Sequence, residues 1–464
     1  MDKLDLYYSL PYPFKIIGAS LYGYRLRSLR YGKDTEKLVE ETLERDTWSK
    51  EKWQSWREER LAYILDLAAT SVPYYINQWQ ARRRNGDRAS WDILENWPKL
   101  DKAVVRENPR QFVSDKSAGK PLFIDHTGGT TGKPTLIYMG RKVTLQWSAI
   151  YEARIRRWLG LTYKDRWGIF GGQKVISLEQ KQPPFWVWNQ GLHQVYFSIF
   201  HIKRENAKAY IDALKHYSPN YLIVYPSALS LLSRFILQDH LPPPQLKAII
   251  SNSERLTTQY KNLIEDAFNC PVTDTYGMAE MSSAANTCSQ GIMHYWPETG
   301  YMEIYDPKSN QFSINNQTGL FCMTSLLNED MPLIRYVNGD AGNLPQWLSA
   351  CKCGRSLPVM GQIQGRSNDL ILTQDGRELY ILDSLFNGLP LIEAQLIQKD
   401  MNMFDVKVVA DKGYDRSTVT GVICSRLIKY LGEIKINVIS VNEIEKDING
   451  KFRPFISQIH KTNS

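Results

Sequence analysis

The stretch Thr-Gly-Gly-Thr-Thr-Gly-Lys-Pro-Thr-Leu, residues 127–136, decides the fold of this chain. Glycines let backbone N–H groups approach anionic oxygens, threonine hydroxyls add donors, and a lysine neutralises negative charge. These residue types in one loop favour a polyphosphate such as ATP. The loop is not a Walker A motif, because its glycines are spaced more tightly and Pro134 follows Lys133 where that motif has Ser or Thr. Taken by itself, the loop has a flexible surface turn as its alternative interpretation.

Short apolar runs lie on both sides of this loop, at residues 121–124 and 135–138. Each run is typical of a short strand. The loop is therefore predicted to connect the two strands of a hairpin rather than a strand to a helix, and to close over phosphates like a flap.

Five further motifs follow along the chain. They are Ser-Asn-Ser-Glu at 251–254, Tyr-Gly-Met-Ala-Glu at 276–280, Tyr-Val-Asn-Gly-Asp at 336–340, Gly-Arg-Ser-Asn-Asp at 365–369 and Asn-Gly-Lys at 449–451. In this order, and together with the loop, they resemble the motifs of the adenylate-forming superfamily. The resemblance is to the branch that includes phenylacetate-CoA ligases, CapK-like proteins and coenzyme F390 synthetases.

The resemblance implies a role for each matching residue. The nucleotide would be bound by Thr127, Gly128, Gly129, Thr130, Thr131, Gly132, Ser253, Glu254, Tyr276, Gly277, Asp340 and Arg366, with Asp340 on the ribose and Tyr276 over the adenine. The catalytic residues would be Lys133, Glu280 as the magnesium ligand, and the adenylation lysine Lys451, and the hinge would contain Asn368 and Asp369.

Two residues depart from the family pattern. Ala279 stands where the family has a hydroxyl residue before the glutamate, and Asn368 stands where the hinge motif has its first carboxylate. The first departure could remove one hydrogen bond to the nucleotide, and the second could alter the rotation of the domains.

The same residues suit the chemistry of carboxylate activation. Bringing a carboxylate to ATP joins two anions, so cations must screen the α-phosphate and the departing pyrophosphate. Lys133, Lys451 and a magnesium ion on Glu280 would do so, since magnesium often takes one protein carboxylate and several waters. Asp340 could accept both ribose hydroxyls. Each residue seen alone has a simpler interpretation, as a solvated turn residue or part of a hairpin turn.

The cysteines suggest a metal site. Cys288, His294, Cys351 and Cys353 have the types and spacing of a Cys₃His structural zinc site, and some members of the resembled branch carry such a zinc. Unligated, reduced cysteines are the alternative, because six cysteines in 464 residues are too few for a disulfide scaffold.

Length and composition agree with a large enzyme. A chain of 464 residues exceeds what one core usually supports, and its net charge of +8 suits anionic ligands such as ATP and CoA. No nucleic-acid module is recognisable. The chain lacks an apolar run long enough to span a membrane, and its start lacks the core of a signal peptide, so we expect a cytoplasmic protein.

Residues 21–31 mix leucine, tyrosine and arginine, as a segment at a membrane surface does. An amphipathic helix folded onto the body of the protein is the alternative. The family resemblance also makes a homodimer plausible.

The periodicity predicts an α/β protein with a large N-terminal adenylate-forming domain and a small, mobile C-terminal α+β domain. We expect a helical N-terminal region at 1–115, an α/β part that binds nucleotide and acid at 116–366, and the small domain with the adenylation lysine at 367–464. In the middle part, strands near 221–225, 246–251 and 271–275 alternate with helices near 227–238 and 257–268, and ligands should bind after the strand ends.

The sequence therefore predicts a magnesium- and ATP-dependent enzyme that converts a carboxylic acid to an acyl-adenylate with release of pyrophosphate, then transfers the acyl group, most simply to CoA. The acid pocket is expected in the aromatic-rich segments 170–172, 183–188 and 225–227, unless these aromatics are ordinary core. Three alternatives stay open. The acceptor could be an amine or hydroxyl of a cell-surface sugar precursor, AMP could be left on a cofactor, or the protein could be a non-catalytic scaffold that binds nucleotide.

Overall fold

A computed structural model describes residues 3–127, 134–315, 318–348, 351–366, 370–373, 378–380, 385–447 and 449–459. The N-terminal part is helical, as predicted. Ser49 caps the longest helix with its hydroxyl, and Val72-Pro73 separates that helix from the next because proline suits the first turn of a helix. The α-helices span Lys3–Ser9, Tyr12–Arg30, Thr35–Arg45, Lys50–Ser71, Pro73–Arg84, Lys102–Glu107, Arg141–Tyr151, Ala207–Tyr217, Pro226–Gln238, Thr258–Phe268 and Arg416–Leu431.

The central sheet has the predicted alternation of strands and helices. Five of its strands run parallel, and the strand Tyr221–Val224 is buried along its whole length because a hydrophobic core packs on each face of the sheet. In spatial order the strands are Trp186–Asn189, Gln194–Ser198, Trp167–Gly171, Tyr221–Val224, Ala248–Ser251 and Val272–Thr273, the first being antiparallel to its neighbour.

The structure contains two further sheets before the C-terminal part. The larger one contains Leu100–Asp101, Tyr336–Gly342, Gly319–Ser325, Gly300–Asp306 and Gln311–Ser313 in that order, with Ile363–Arg366 also paired to Tyr336–Gly342. The smaller one is antiparallel and contains Thr275–Gly277, Ala284–Thr287 and Met293–Tyr295.

The predicted hairpin around the glycine-rich loop is confirmed. Its strands Phe123–His126 and Leu136–Met139 pair antiparallel, and the first begins two residues later than the apolar run. The N–H of Thr127 donates to the carbonyl of Thr135 at 3.0 Å, so the hairpin stays closed up to the loop. Residues 128–133, which contain Lys133 and most of the predicted phosphate contacts, lie outside the described residues.

The C-terminal part is an α+β unit, as predicted. The helix Arg416–Leu431 packs on a four-stranded sheet of Lys435–Ser440, Met403–Ala410, Leu391–Asp400 and Phe455–Ser457. A separate pair, Leu370–Leu372 and Glu378–Tyr380, precedes it. The sequence patterns did not predict the last strand, Phe455–Ser457. The hinge residues Asn368 and Asp369 are outside the described part of the chain.

None of the described helices is both long enough and apolar enough to cross a membrane.

A buried charge joins the helical region to the sheets. Arg154, in a π-helical segment, has no exposed side-chain area and donates to Asp46 at 2.9 Å and to Glu298 at 2.8 Å. Asp46 follows the helix Thr35–Arg45, whereas Glu298 lies between two sheet strands. Burial opposes the charge of Glu298, yet Arg154 and Arg45 hold the pKa of this carboxyl below its usual value. These two buried ion pairs therefore connect the N-terminal helices to the segment between the two sheet strands.

Removing this guanidinium should destabilise the whole fold. We expect Arg154→Ala to lower the free energy of unfolding by about 3–5 kcal/mol, because two buried carboxylates lose their partner. Arg204→Ala is the matched control, since Arg204 pairs with Asp239 at the surface and such pairs contribute about 1 kcal/mol or less. Urea unfolding measures both, and equal losses in the two variants would contradict the assigned role of Arg154.

Candidate functional site

A cleft of about 580 Å³ lies between the ends of the sheet strands and the C-terminal part. Motifs that are far apart in sequence meet on its wall. Six of the residues predicted to act on the nucleotide line it, namely Ser253, Glu254, Tyr276, Gly277, Asp340 and Lys451. The cleft is thus the candidate site, at the end of the sheet where ligands bind in open α/β folds.

Asp340 and Tyr276 are directly connected across the cleft wall. The Tyr276 hydroxyl donates to Asp340 Oδ2 at 2.9 Å, and the Asn338 amide donates to the same oxygen at 2.7 Å. Burial raises the pKa of Tyr276 well above its usual value, and the nearby Asp340 charge adds to this. The phenol therefore stays protonated and keeps the Asp340 carboxylate fixed as an acceptor.

Glu280 lies beside this pair but is not among the described residues that line the cleft. Only 3% of it is exposed, and the Tyr336 hydroxyl donates to its Oε1 at 2.6 Å. Lys102 Nζ lies 3.6 Å from the same oxygen. Tyr336 and Asp340 are on one strand, so Glu280 is held next to the Asp340 strand. Sequence reasoning missed Lys102, since a single lysine in a helical region carries no signal.

Lys451 reaches into the cleft from the C-terminal part. Its Nζ donates to the carbonyl of Ser253 at 3.1 Å and lies 5.6 Å from the centre of the Tyr225 ring. Its backbone N–H donates to Asp447 at 2.9 Å, which shapes the turn that carries the lysine. The predicted C-terminal lysine and the predicted adenine turn are therefore in contact.

Glu254 holds this turn in place. Its Oε2 accepts the N–H of Ser227 and its Oε1 accepts the N–H of Phe452, both at 3.0 Å. Burial raises the pKa of Glu254, although these hydrogen bonds oppose the shift. The Glu254 carboxylate therefore connects the backbone of Ser227, near the central sheet, to the backbone of Phe452 in the C-terminal part.

The backbone is packed tightly where the C-terminal turn meets the central sheet. A Cβ atom on Gly172 would lie 1.9 Å from the carbonyl oxygen of Asn449, so no larger residue fits at position 172 without displacing the turn. Gly450 has φ of +73°, a conformation that favours glycine. These glycines let the turn of Lys451 approach the sheet closely.

Asp274 is a cleft residue that sequence reasoning missed. It follows the strand Val272–Thr273, and its Oδ1 accepts the Ser251 hydroxyl at 2.8 Å and the Thr275 N–H at 2.9 Å. Burial raises its pKa to about 6, although these hydrogen bonds oppose the shift. Its position two residues before Tyr276 was the available signal.

Two aromatics in the segments predicted for the acid pocket belong to the core instead. Phe170 and Phe185 have no exposed area and pack with Phe197 and Tyr210. Tyr225 and Ser227, from the third predicted segment, do lie at the cleft.

The remaining predicted nucleotide residues are only partly described. Thr127 is buried, and its hydroxyl accepts the N–H of Thr135 at 3.2 Å, so this side chain closes the base of the loop. Arg366 pairs through its backbone with Asp340.

The structure brings the four predicted metal ligands together. The ligand atoms of Cys288, His294, Cys351 and Cys353 all lie within 4.8 Å of one another. The Cys288 and Cys351 sulfurs are 4.0 Å apart, and Cys353 Sγ is 3.5 Å from His294 Nε2. The other ring nitrogen of His294 lies 3.1 Å from the carbonyl of Leu357, which directs Nε2 towards the sulfurs. Three thiols and an imidazole in this arrangement suit a closed zinc site.

Comparison with known proteins identifies two family models along the chain. The model described as AMP-binding enzyme matches residues 53–319, and the model described as CapK C-terminal domain matches residues 372–458. Protein CapK of Staphylococcus aureus is 26% identical over 400 residues, which cover 83% of this chain and 85% of that protein.

Other relatives are more distant. A phenylacetate-coenzyme A ligase of Thermus thermophilus is 24% identical over 357 residues, covering 71% of this chain and 74% of that protein. The crystal structure of 2-hydroxyisobutyryl-CoA ligase in the postadenylation state, in complex with R3-HIB-AMP, matches with a TM-score of 0.68. It is 20% identical and covers 89% of this chain and 91% of that chain, a likeness that shows the fold.

The raised pKa of Asp274 predicts a pH-dependent stability difference. Its pKa of about 6 in the folded protein exceeds the ordinary 3.8, so this group stabilises the fold most at low pH and loses that effect as pH rises through 6. Asp274→Asn cannot ionise. We expect its free energy of unfolding, relative to the wild type, to rise by at most about 3 kcal/mol between about pH 4 and about pH 7.

Urea unfolding at several pH values measures this difference. Asp66→Asn removes an exposed carboxylate and gives the baseline. If the free energies of unfolding of Asp274→Asn and the wild type differ by the same amount at every pH, the raised pKa of Asp274 is contradicted.

Proposed function

Because this chain belongs to the AMP-binding enzyme family, whose model spans residues 53–319, we propose that it activates a carboxylic acid with ATP and passes the acyl group to CoA. The adenylation step forms an acyl-adenylate and releases pyrophosphate. The observation that carries the proposal is the meeting of Lys451 with Ser253, Tyr276 and Asp340 in one cleft. A scaffold that only binds nucleotide has little need of a lysine delivered from a separate part of the chain.

Each residue has a role that fits its surroundings. The Asp340 carboxylate, fixed by Tyr276 and Asn338, would accept the ribose hydroxyls. The Tyr276 ring would cover the adenine. The Lys451 ammonium would screen the α-phosphate while the acid carboxylate attacks phosphorus. Lys133, in the glycine-rich loop, would bind the departing pyrophosphate.

The surroundings of Glu280 also fit a magnesium ion. Both of its described contacts are made by Oε1, so Oε2 could serve as a hard oxygen ligand. Magnesium would there neutralise phosphate charge. Lys102, on the other oxygen, keeps the buried carboxylate compensated before nucleotide binds.

The C-terminal part would then move to admit the acceptor. Lys451 is held by contacts with Ser253, and its turn by Glu254, and these contacts must break for the lysine to leave. We place the boundary of this moving unit near 366–369, with a helical region at 1–115 and the nucleotide part at 116–366.

A second candidate acceptor is an amine or hydroxyl of a cell-surface sugar precursor. The match of residues 372–458 to the model described as CapK C-terminal domain supports this alternative, because the resemblance to CapK-like proteins is what suggests such an acceptor. Acyl transfer that proceeds fully without CoA would decide for this alternative. We place the protein in the cytoplasm, where ATP and CoA are available.

We also propose that Cys288, His294, Cys351 and Cys353 hold one structural zinc. The N–H groups of Gln290 and Cys353 point to the sulfurs of Cys288 and Cys351, at 3.4 and 3.5 Å. Such hydrogen bonds stabilise thiolates, which are the forms that bind zinc. The zinc would have no open position for chemistry.

Replacing the C-terminal lysine should abolish adenylation. The assay contains ATP, magnesium, hydroxylamine to trap the acyl-adenylate, and a panel of aryl, fatty and hydroxy acids, each with and without CoA. Pyrophosphate release should fall by about 10²–10³-fold in Lys451→Ala. Lys429→Ala, an exposed lysine on the C-terminal helix, should keep wild-type turnover. Unchanged turnover in Lys451→Ala would overturn the mechanism, and stimulation by CoA would identify the acceptor.

The zinc proposal predicts a metal content of about one ion per chain. Cys353→Ala should lose most of this zinc and unfold at a lower temperature, because an incomplete ligand set binds metal weakly. Cys424→Ala, outside the cluster, should retain it. Elemental analysis of dialysed protein measures the zinc content, and thermal unfolding measures the stability. A wild-type protein that contains no metal and is no more stable than Cys353→Ala would exclude the site.

A further inference from the structure

The helix Tyr12–Arg30 is held firmly on the body of the protein by its inner face. Gly23 lies so close to Asn189 that a Cβ atom there would be 1.8 Å from the amide oxygen. The Ser20 hydroxyl accepts the N–H of Gln190 at 3.0 Å. On the same side, Tyr12, Ile16 and Ala19 pack against Val175, Ile176 and Val187. The position of the helix is therefore set without its outer face.

The outer face of this helix is nevertheless apolar. Phe14, Ile17 and Leu21 recur at intervals of three and four residues, so they lie on one line along the helix. They are 56%, 53% and 66% exposed. Tyr22 and Tyr24 are also exposed and flank the line on its two sides. We call this surface the N-terminal apolar face: Phe14, Ile17, Leu21, Tyr22 and Tyr24.

The segment that carries this face has charged side chains of one sign only, although the first of them, Lys15, is buried. Residues 6–33 contain no aspartate or glutamate, and their basic residues are Lys15, Arg25, Arg27, Arg30 and Lys33. Arg25 follows Leu21 by one helical turn on the same line, and both Arg25 and Lys33 are exposed. The apolar line thus leads directly into a basic end.

We propose that the N-terminal apolar face docks this protein on an anionic phospholipid bilayer. The helix would lie in the plane of the headgroups, with Phe14, Ile17 and Leu21 inserted among the acyl chains. Tyrosines suit the headgroup level, where one end of the side chain is apolar and the other is wet. The basic end would contact the anionic headgroups.

The charge pattern favours a bilayer over a second copy of this chain. Two such faces brought together would bring two basic, acid-free segments into contact, which like-charge repulsion opposes. An anionic bilayer has the complementary charge. The docking is independent of the proposed chemistry, because no residue of the face lines the cleft.

Flotation of the full-length protein with lipid vesicles tests this proposal. The wild type should float with vesicles that contain phosphatidylglycerol and remain behind with neutral phosphatidylcholine vesicles. In the double variant Phe14→Ser/Leu21→Ser, binding to anionic vesicles should fall by at least about ten-fold, because the inserted apolar area is lost. Arg25→Glu should also reduce binding, and added salt should reduce the binding of the wild type.

The matched control is Ile314→Ser/Leu348→Ser, which removes two exposed apolar side chains elsewhere. It should bind like the wild type. Far-UV circular dichroism and unfolding of every variant verify that the fold is kept. Wild-type protein that binds no vesicle, or equal binding of Phe14→Ser/Leu21→Ser, would overturn the proposal. A dimer of the wild type that becomes monomeric in this variant, without lipid binding, would assign the face to self-association instead.

Discussion

The rest of the structure depends on the ion pairs that the buried Arg154 guanidinium makes. It lies without exposure between Asp46 and Glu298, which come from the N-terminal helices and from the segment between two sheets. A charge in such a place is stable only with its partners in position, so the two regions must assemble together. The N-terminal helices are therefore part of the main body of the protein and not an appendage.

The same network extends to the candidate metal cluster and to the cleft. Trp158 donates to Asp46 at 2.8 Å, and its ring contacts His294 of the Cys/His cluster. In the other direction, the Asn286 amide donates to the carbonyl of Arg154 at 2.8 Å. Asn286 pairs with Thr275, next to Tyr276 on the cleft wall. The hydrogen bond of Asn286 and its strand pairing thereby connect the buried Arg154 to the residues that line the cleft.

The parts of the fold that sequence patterns predicted are those with strong local periodicity. The helical region before residue 116 and the strands and helices of residues 221–273 needed only periodicity. The pairing of Leu100–Asp101 with Tyr336–Gly342 was not predictable, because it joins distant segments and a two-residue strand has no pattern of its own.

The residues of the candidate site also fall into two groups, those that a sequence pattern predicted and those that it did not. Tyr276, Asp340 and Lys451 stand in motifs, and the cysteines are chemically distinctive, so spacing was enough to single them out. Lys102 and Asp274 acquire their surroundings only from the tertiary fold. Their tertiary partners decide their importance, and the tertiary partners of a single polar residue cannot be read from its neighbours in sequence. Phe170 and Phe185 of the aromatic segments belong to the core and not to a pocket, because large apolar side chains fill cores as readily as pockets.

The contact between Gly172 and Asn449 has one more consequence. Side chains at an interface can change rotamer and let two surfaces settle at several separations, whereas main-chain atoms in contact cannot yield. The lack of a Cβ atom at position 172 lets the turn of Lys451 approach the sheet until main-chain atoms meet, and their contact sets the lower limit of the separation. This main-chain contact therefore fixes the separation between the sheet and the turn that carries Lys451.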